Sequence, residues 1–246
     1  MRESRREFGV TLLELLIAMT LLALLSTGVL MAMRVGFGAL QKTNKTFLAN
    51  RRAFGAQRIL EQQIAGFIPV SAACNAAGGP PPYTRVSFFQ GELQTMRFAS
   101  TYSLAAASRG MATILELQVI PGEEGRGYRL IVNEHPYTGP LGAGRFCTGT
   151  APDPFTGTSA TRFIPVGIRE DSFVLADKLA ECRFLYRVAM PEPPFERWVP
   201  RWVYGTYPTA IRIEMTPLET SASKWTAVST TFPVFVNREP LGDYSE

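Results

Sequence analysis

From Val10 to Met33 the chain is apolar at almost every position, interrupted by one charge, Glu14, and a few hydroxyls. At ~1.5 Å rise per residue, this run spans about 36 Å as a helix, against a hydrocarbon core of about 30 Å. Nearly every face of that helix is apolar, so burying it within the protein would consume most of a core this chain can build. A membrane-spanning helix is therefore predicted over residues 10–33. The pattern then changes. Phe37, Leu40, Phe47, Phe54, Leu60, Ile64 and Phe67 recur at roughly helical spacing, and Gln41, Lys42, Asn44, Lys45, Asn50, Arg58 and Gln62 fill the intervening positions. That reads as an amphipathic continuation over residues 34–70. Pro69 disfavours helix at Ile68, so the helical stretch is expected to end there, after roughly 90 Å in all. Gly36 and Gly38 suit either a bend or close packing. The Arg51-Arg52 pair reads as a solvated helix face in preference to a lipid or nucleic-acid contact.

Residues 71–84, with Gly78-Gly79-Pro80-Pro81-Pro82, read as a linker or loop. Short strand-like runs follow at 85–89, 95–99, 113–120, 128–133, 181–188, 210–215 and 230–236. Ile211 and Ile213 alternate with Arg212 and Glu214, and Phe184 and Tyr186 with Arg183 and Arg187, the signature of half-buried strands. In 113–120 the alternation is imperfect. Gly-rich turns fall at 122–127 and 139–144, and 147–161 is expected to be loop. The predicted class is α+β: a long N-terminal helix, its second half covering one apolar face of an antiparallel sheet in a head of residues 71–246.

Composition supports a folded chain. Of 246 residues, 46% are hydrophobic and 19% charged, which excludes a disordered class, and Gly 21 and Pro 18 show no short repeat. The net charge of +4 is spread along the chain and says little about partners. The first nine residues matter more. Arg2, Arg5 and Arg6 outweigh Glu3 and Glu7, so this leader should stay cytoplasmic and the remainder should lie across the membrane. A cleaved secretory signal, with Ser26-Thr27-Gly28 as a weak site, is the rival reading. The length of the apolar run and the early Glu14 count against it.

Gly9-Val10-Thr11-Leu12-Leu13-Glu14 resembles the processing site of type IV prepilins and type II secretion pseudopilins. The resemblance implies that residues 1–9 are a prepilin leader and that a prepilin peptidase cuts between Gly9 and Val10. It further implies N-methylation of Val10, where Phe is the commoner residue. Glu14 takes the place of the family's signature carboxylate, which neutralises the N-terminal amine of a neighbouring subunit during assembly. Physical chemistry agrees: cleavage removes the cations that hold the helix in the membrane and creates an amine close to a carboxylate in apolar surroundings.

Further on, Glu181-Cys182-Arg183-Phe184-Leu185-Tyr186, Trp198, Trp202 and Tyr207-Pro208-Thr209-Ala210-Ile211-Arg212-Ile213 resemble minor pseudopilin J and the related W-type minor pilins. Phe67-Ile68-Pro69-Val70 is also J-like. The resemblance implies a pilin-like fold and a non-enzymatic minor subunit at the tip of a type II secretion pseudopilus. The alternatives are a W-like minor pilin that primes type IV pilus assembly, or a tip module that binds a ligand or DNA. Implied partners are the prepilin peptidase, other minor and major (pseudo)pilins, the inner-membrane assembly platform and inner-membrane lipid. Nucleic acid is disfavoured, because the arginines of 183–212 form no run. The implied location is the bacterial inner membrane, single-pass, with the head in the periplasm.

Other chemistry is thin. His135 has no nucleophile pattern around it. The stretch Gly122–Gly127 lacks the Lys-Ser/Thr of a phosphate loop. No cofactor or metal is expected. Calcium at Asp153, Asp171 or Asp177 is the weak exception, since their spacing matches no calcium loop. An exported head permits disulfides. Of three cysteines, Cys74 and Cys147 are both expected in loops and are the favoured pair, whereas Cys182 begins a strand and suits the core. Phe195, Trp198, Trp202 and Tyr204 form an aromatic loop, read as buried anchors in preference to a contact surface.

Overall fold

The computed structural model describes residues 11–75, 83–105, 108–154, 156–218 and 228–235, without the side chains of 40–54 and 108–109. Gly9, Val10 and the side chains of Arg51 and Arg52 therefore lie outside the described residues. The chain divides into two units, Met1–Arg51 and Arg52–Glu246.

In the first unit the described residues from Leu12 onward belong to one helix, α1 (Leu12–Ala65). It continues without interruption through Ser26-Thr27-Gly28 and through Gly36 and Gly38. A Cβ built at Gly36 or Gly38 meets nothing within 4 Å, so neither glycine is there for packing within this chain. Residues Leu12–Ala39, 28 in all, are long and apolar enough to cross a membrane, and none is buried. The hydroxyls of Thr20 and Thr27 donate to the carbonyls of Ile17 and Ala23, at 2.9 and 2.8 Å. Each is thus satisfied inside the helix, as lipid requires.

The second unit begins with the last turns of α1 and continues as β1 (Phe67–Ile68), β2 (Ser71–Cys74), β3 (Thr84–Ser87), β4 (Gln90–Gly91), β5 (Thr95–Ser103), β6 (Ser108–Pro121) and β7 (Tyr128–Pro136). Then come α2 (Pro140–Gly144), β8 (Cys147–Pro152), β9 (Ser159–Phe163), β10 (Phe173–Ala189), β11 (Glu196–Val199), β12 (Ala210–Pro217) and β13 (Val228–Pro233). The main sheet runs β1-β5-β6-β7-β10-β12-β13, with β4 added to β5 and β11 to β10. Every pairing in it is antiparallel. Two small hairpin sheets, β2-β3 and β8-β9, lie apart from it. This is an α+β, pilin-like architecture: a long apolar N-terminal helix followed by an antiparallel head.

Ala56, Leu60, Gln63, Ile64 and Phe67 are buried at helical spacing. Leu60 and Ile64 join one apolar core with Phe98, Leu115, Leu117, Leu130, Val132, Phe184, Tyr186, Ile211 and Ile213. These are alternate residues of five neighbouring strands, so the end of α1 covers one face of the sheet, as the pattern predicts. The opposite face of β5 and β6 is covered too. There Ala99 and Ile114 pack with Ala72, Phe88, Ala143 and Phe146 in a second core. Burial on both faces is why 113–120 alternates imperfectly.

Three expectations are corrected. The helix ends at Ala65, not Ile68. A Cβ at Gly66 would sit 2.6 Å from the Ser100 hydroxyl, and Phe67-Ile68 pair with Ser100 and Ala99 as β1. Cross-strand pairing there wins over helix propensity. Within 71–84, Ser71–Cys74 is strand β2, register-paired with β3; residues 76–82 lie outside the described part. The supposed loop 147–161 is largely the β8-β9 hairpin. The glycines at 122–127 do form a turn, closed by Gly122 N–H donating to the Gly127 carbonyl, with Gly125 and Gly127 at φ 71° and 66°.

Candidate assembly site and the buried network of the head

Thr11 begins α1. Its hydroxyl accepts the Glu14 N–H at 3.3 Å, and its carbonyl accepts the N–H groups of Glu14 and Leu15 at 3.0 and 3.2 Å. Thr11-Leu12-Leu13-Glu14 is therefore a helix-start pattern, with a hydroxyl cap and an acidic residue three positions on. That spacing was readable in the sequence. Glu14 lies in the first helical turn, where the positive end of the helix dipole favours an anion. It is solvent-exposed, and its carboxylate has no partner among the described residues. A helix apolar on all sides thus presents one unpaired carboxylate near its start.

The cysteines fall as follows. Cys74 on β2 and Cys147 on β8 are bonded to each other, across 73 residues of sequence, with Cα atoms 5.6 Å apart. Cys182 is buried in β10 with a free thiol, which burial and then Glu181 push up to about 12. That thiol stays protonated and inert. The bridge ties β2 to the β8-β9 hairpin over the second core. Reducing it, or replacing both cysteines by Ala, is expected to lower stability by ~2–4 kcal/mol, read as a drop in thermal midpoint under reductant.

Under that cover lies a polar network that sequence reasoning missed. Arg97 is fully buried and donates through Nε to Glu116 Oε1 at 2.8 Å. Its other nitrogens reach Gln90 Oε1 at 2.6 Å and the Ile164 carbonyl at 3.2 Å. Glu116 Oε2 receives Asn133 Nδ2 at 3.3 Å and lies 3.0 Å from His135 Nε2. Strand register puts Arg97 opposite Glu116, and Glu116 opposite Asn133. The rings of Phe146 and Phe163 lie 5.3 and 5.5 Å from the guanidinium. Burial lowers the Arg97 pKa, and Glu116 offsets part of that. Burial raises the Glu116 carboxyl, but Arg97 and the hydrogen bonds from His135, Arg97 and Asn133 outweigh it and hold it below the ordinary carboxylate range. His135, set aside as a catalytic base, bridges Glu116 to Arg169, whose guanidinium lies 3.1 Å from Nδ1.

The three aspartates considered for calcium are not gathered. Asp171 pairs with Arg169 at 2.8 Å, Asp153 is buried and pairs with Arg201 at 2.7 Å, and Asp177 lies in β10. Among the described residues, no group of three His, Cys, Asp or Glu is placed to hold a metal ion. In the aromatic loop, Trp202 is buried and donates to the Thr206 carbonyl at 2.7 Å. Tyr204 packs on it at 4.9 Å. Trp198 is half-buried, with the Arg212 guanidinium 3.9 Å from its ring centre, and Phe195 is exposed. The loop thus mixes anchors with surface.

The architecture is α+β and pilin-like, and its apolar helix carries one exposed carboxylate, Glu14, in the first turn. Residues 4–30, which include Gly9, Val10, Glu14 and much of the apolar run, match the family model of the prokaryotic N-terminal methylation motif. That motif indicates a type IV pilin-like subunit of a pilus or pseudopilus. No curated protein matches the chain.

Proposed function

We propose that this chain is a non-enzymatic minor pseudopilin, processed at Gly9-Val10 and placed at the tip of a type II secretion pseudopilus to support protein export. The observation that carries the reading is the methylation motif at 4–30 joined to an unbroken apolar helix and a large antiparallel head. In this reading the leader is cytoplasmic, Leu12–Ala39 is held in the inner membrane before assembly, and the head is periplasmic. Glu14 is the assembly carboxylate, meeting the methylated amine of a neighbouring subunit. The partners are the prepilin peptidase, other pilin-like subunits and the inner-membrane platform. Phe67-Ile68-Pro69-Val70 is J-like, whereas residues 181–213 resemble J-type pseudopilins and W-type minor pilins alike, so the pilus-priming role of a W-type minor pilin is the second reading.

Intact mass and N-terminal sequencing of membrane-extracted protein test the first step. The mature chain is expected to start at N-methyl-Val10 in cells with the peptidase and to keep Met1–Gly9 in cells without it. A chain cut near Gly28 in both strains would overturn the reading. Deleting the gene separates the two systems: loss of exported hydrolases with pili intact supports the pseudopilus, and loss of pili with export intact supports the minor pilin.

A further inference from the structure

His135 is the one histidine of the chain, and it sits where β7 outruns its neighbour. β10 begins at Phe173, opposite Val132, so the last residues of β7 lie beyond its start. Residues 167–172, which lead into β10, are tied to them through side chains. Asn133 Nδ2 donates to the Gly167 carbonyl at 2.8 Å, and the Ser172 hydroxyl donates to Asn133 Oδ1 at 2.6 Å. The remaining tie is Arg169 against His135. One guanidinium nitrogen lies 3.1 Å from Nδ1 and 3.3 Å from Nε2. An in-plane partner of one ring nitrogen would be far from the other, so Arg169 stacks on the face of the imidazole, as guanidinium planes do on aromatic rings.

The proton on that ring follows from its partner. Nε2 lies 3.0 Å from Glu116 Oε2, and an ionised carboxylate only accepts. Nε2 therefore carries the hydrogen, and Nδ1 of the neutral ring is bare. A further proton has one place to go, Nδ1. The charges around it are already matched. Glu116 on β6 is paired with Arg97 at 2.6 Å, and Asp171 with Arg169 at 2.8 Å. Phe146, whose ring centre is 5.0 Å from that of His135, carries the Arg145 guanidinium 4.8 Å over its own. Glu134 points from the opposite face of β7 and is committed to the Ser103 hydroxyl and the N–H groups of Leu104 and Ala105. A proton on Nδ1 thus adds a fourth cation to Arg97, Arg145 and Arg169, in direct contact with the last. Like charges that close, partly shielded from water, repel.

We propose that His135 is an acid switch: a proton taken up from solvent at Nδ1 expels Arg169 from the ring face and loosens residues 167–172 from β7. Arg169 keeps Asp171 as its partner when it leaves, and Asn133 alone then holds the segment. Glu170, Asp171, Ser172 and Phe173 line a surface cavity of about 390 Å³ together with Ala105 and Glu134, and Ile168 beside them is 68% exposed. The switch therefore reshapes a patch of the head surface. The inference rests on the head alone and is independent of the filament to which the subunit belongs.

The test uses the full-length processed chain in detergent micelles, at about pH 8 and about pH 5.5, the range in which imidazoles change charge. Isotope-labelled histidine gives one ring signal in NMR, because His135 has no rival. Amide exchange over 167–172, corrected for its intrinsic pH dependence, reports the segment. Its protection should fall by about tenfold or more as the imidazole signal titrates. His135→Gln keeps an N–H for Glu116 but takes up no proton, and should abolish the fall. Arg169→Gln removes the expelled cation from an exposed position, so the fold should survive. It should lower protection at about pH 8 and leave no further loss at about pH 5.5, and it decides the matter if His135→Gln does not fold. The proposal fails if protection is unchanged while the imidazole titrates, or if the imidazole stays neutral throughout. It fails too if either variant shows the wild-type fall, since another group is then responsible.

Discussion

Replacing Glu116 by Ala is expected to destabilise the head by ~3–5 kcal/mol, among the largest single-residue effects in the chain. The reason is what remains behind. Arg97 is wholly inaccessible and Glu116 nearly so, at 0% and 6% side-chain exposure. Without the carboxylate, a guanidinium stays buried between the rings of Phe146 and Phe163, with only Gln90 and the Ile164 carbonyl to accept from it. His135 Nε2 loses its acceptor as well. Replacing both members, Arg97→Met with Glu116→Met, should recover a substantial part of the loss, because an apolar pair of similar volume leaves no buried charge. Denaturant unfolding of the head signal in both variants makes the comparison. Equal destabilisation by the single and double variants would show that packing volume, not charge, is what matters at this position.

The same pair sets an acid limit. Glu116 has a folded pKa below its unfolded value of about 4.3, so the unfolded chain takes up the proton first as pH falls. The stabilisation is complete above the unfolded value and is lost as pH drops through the folded one. In Glu116→Gln that part of the acid-induced loss should be absent, which a pH series of thermal midpoints would show.

How far all this could be read in advance depends on what each stretch of chain faces. The apolar run and the helical spacing through Leu60 and Ile64 were legible, because one physical demand, burial in lipid or against a sheet, governs each. Ile211/Arg212 and Phe184/Arg183 were legible because those strands have one dry face and one wet one. β5 and β6 were harder. Met96, Phe98, Leu115 and Leu117 face the helix, while Ala99, Ile114, Arg97 and Glu116 face the second core, so burial does not alternate along either strand. The network itself is a matter of register: Arg97, Glu116 and Asn133 meet only because three strands align, and no local pattern encodes that alignment. The β8-β9 hairpin was hidden by its composition, since Gly149, Pro152, Thr148 and Thr150 read as loop until β2 and the Cys74–Cys147 bridge are placed beside them. At the other end, the stop at Ala65 came from a close approach to Ser100, which propensity cannot see.

The other large effect is expected at Glu14, and it concerns assembly, not stability. Glu14→Leu should leave cleavage at Gly9-Val10 intact yet reduce recovery of the chain in sheared or purified filaments by about tenfold or more, the scale on which interhelical polar contacts in lipid act. The carboxylate is exposed in the first turn of an otherwise apolar helix and has no partner among the described residues. In lipid a lone carboxylate is costly, and the start of a helix offsets only part of that cost. Cleavage after Gly9 would place a new amine four residues away, so each processed subunit carries one buried anion and one buried cation that can be matched between neighbours. Leucine removes the anion while making the helix a better membrane segment, so a defect in this variant cannot be blamed on failed insertion. It leaves the amine of the neighbour unpaired, and that is where the loss should arise. Glu14→Asp keeps the charge on a shorter arm and should fall between the two. A variant at Gly9 that blocks cleavage keeps the carboxylate but never makes the amine, and should be as deficient as Glu14→Leu. Normal incorporation of Glu14→Leu would sink the pairing argument, because a subunit that joins the filament without this carboxylate has no use for it there.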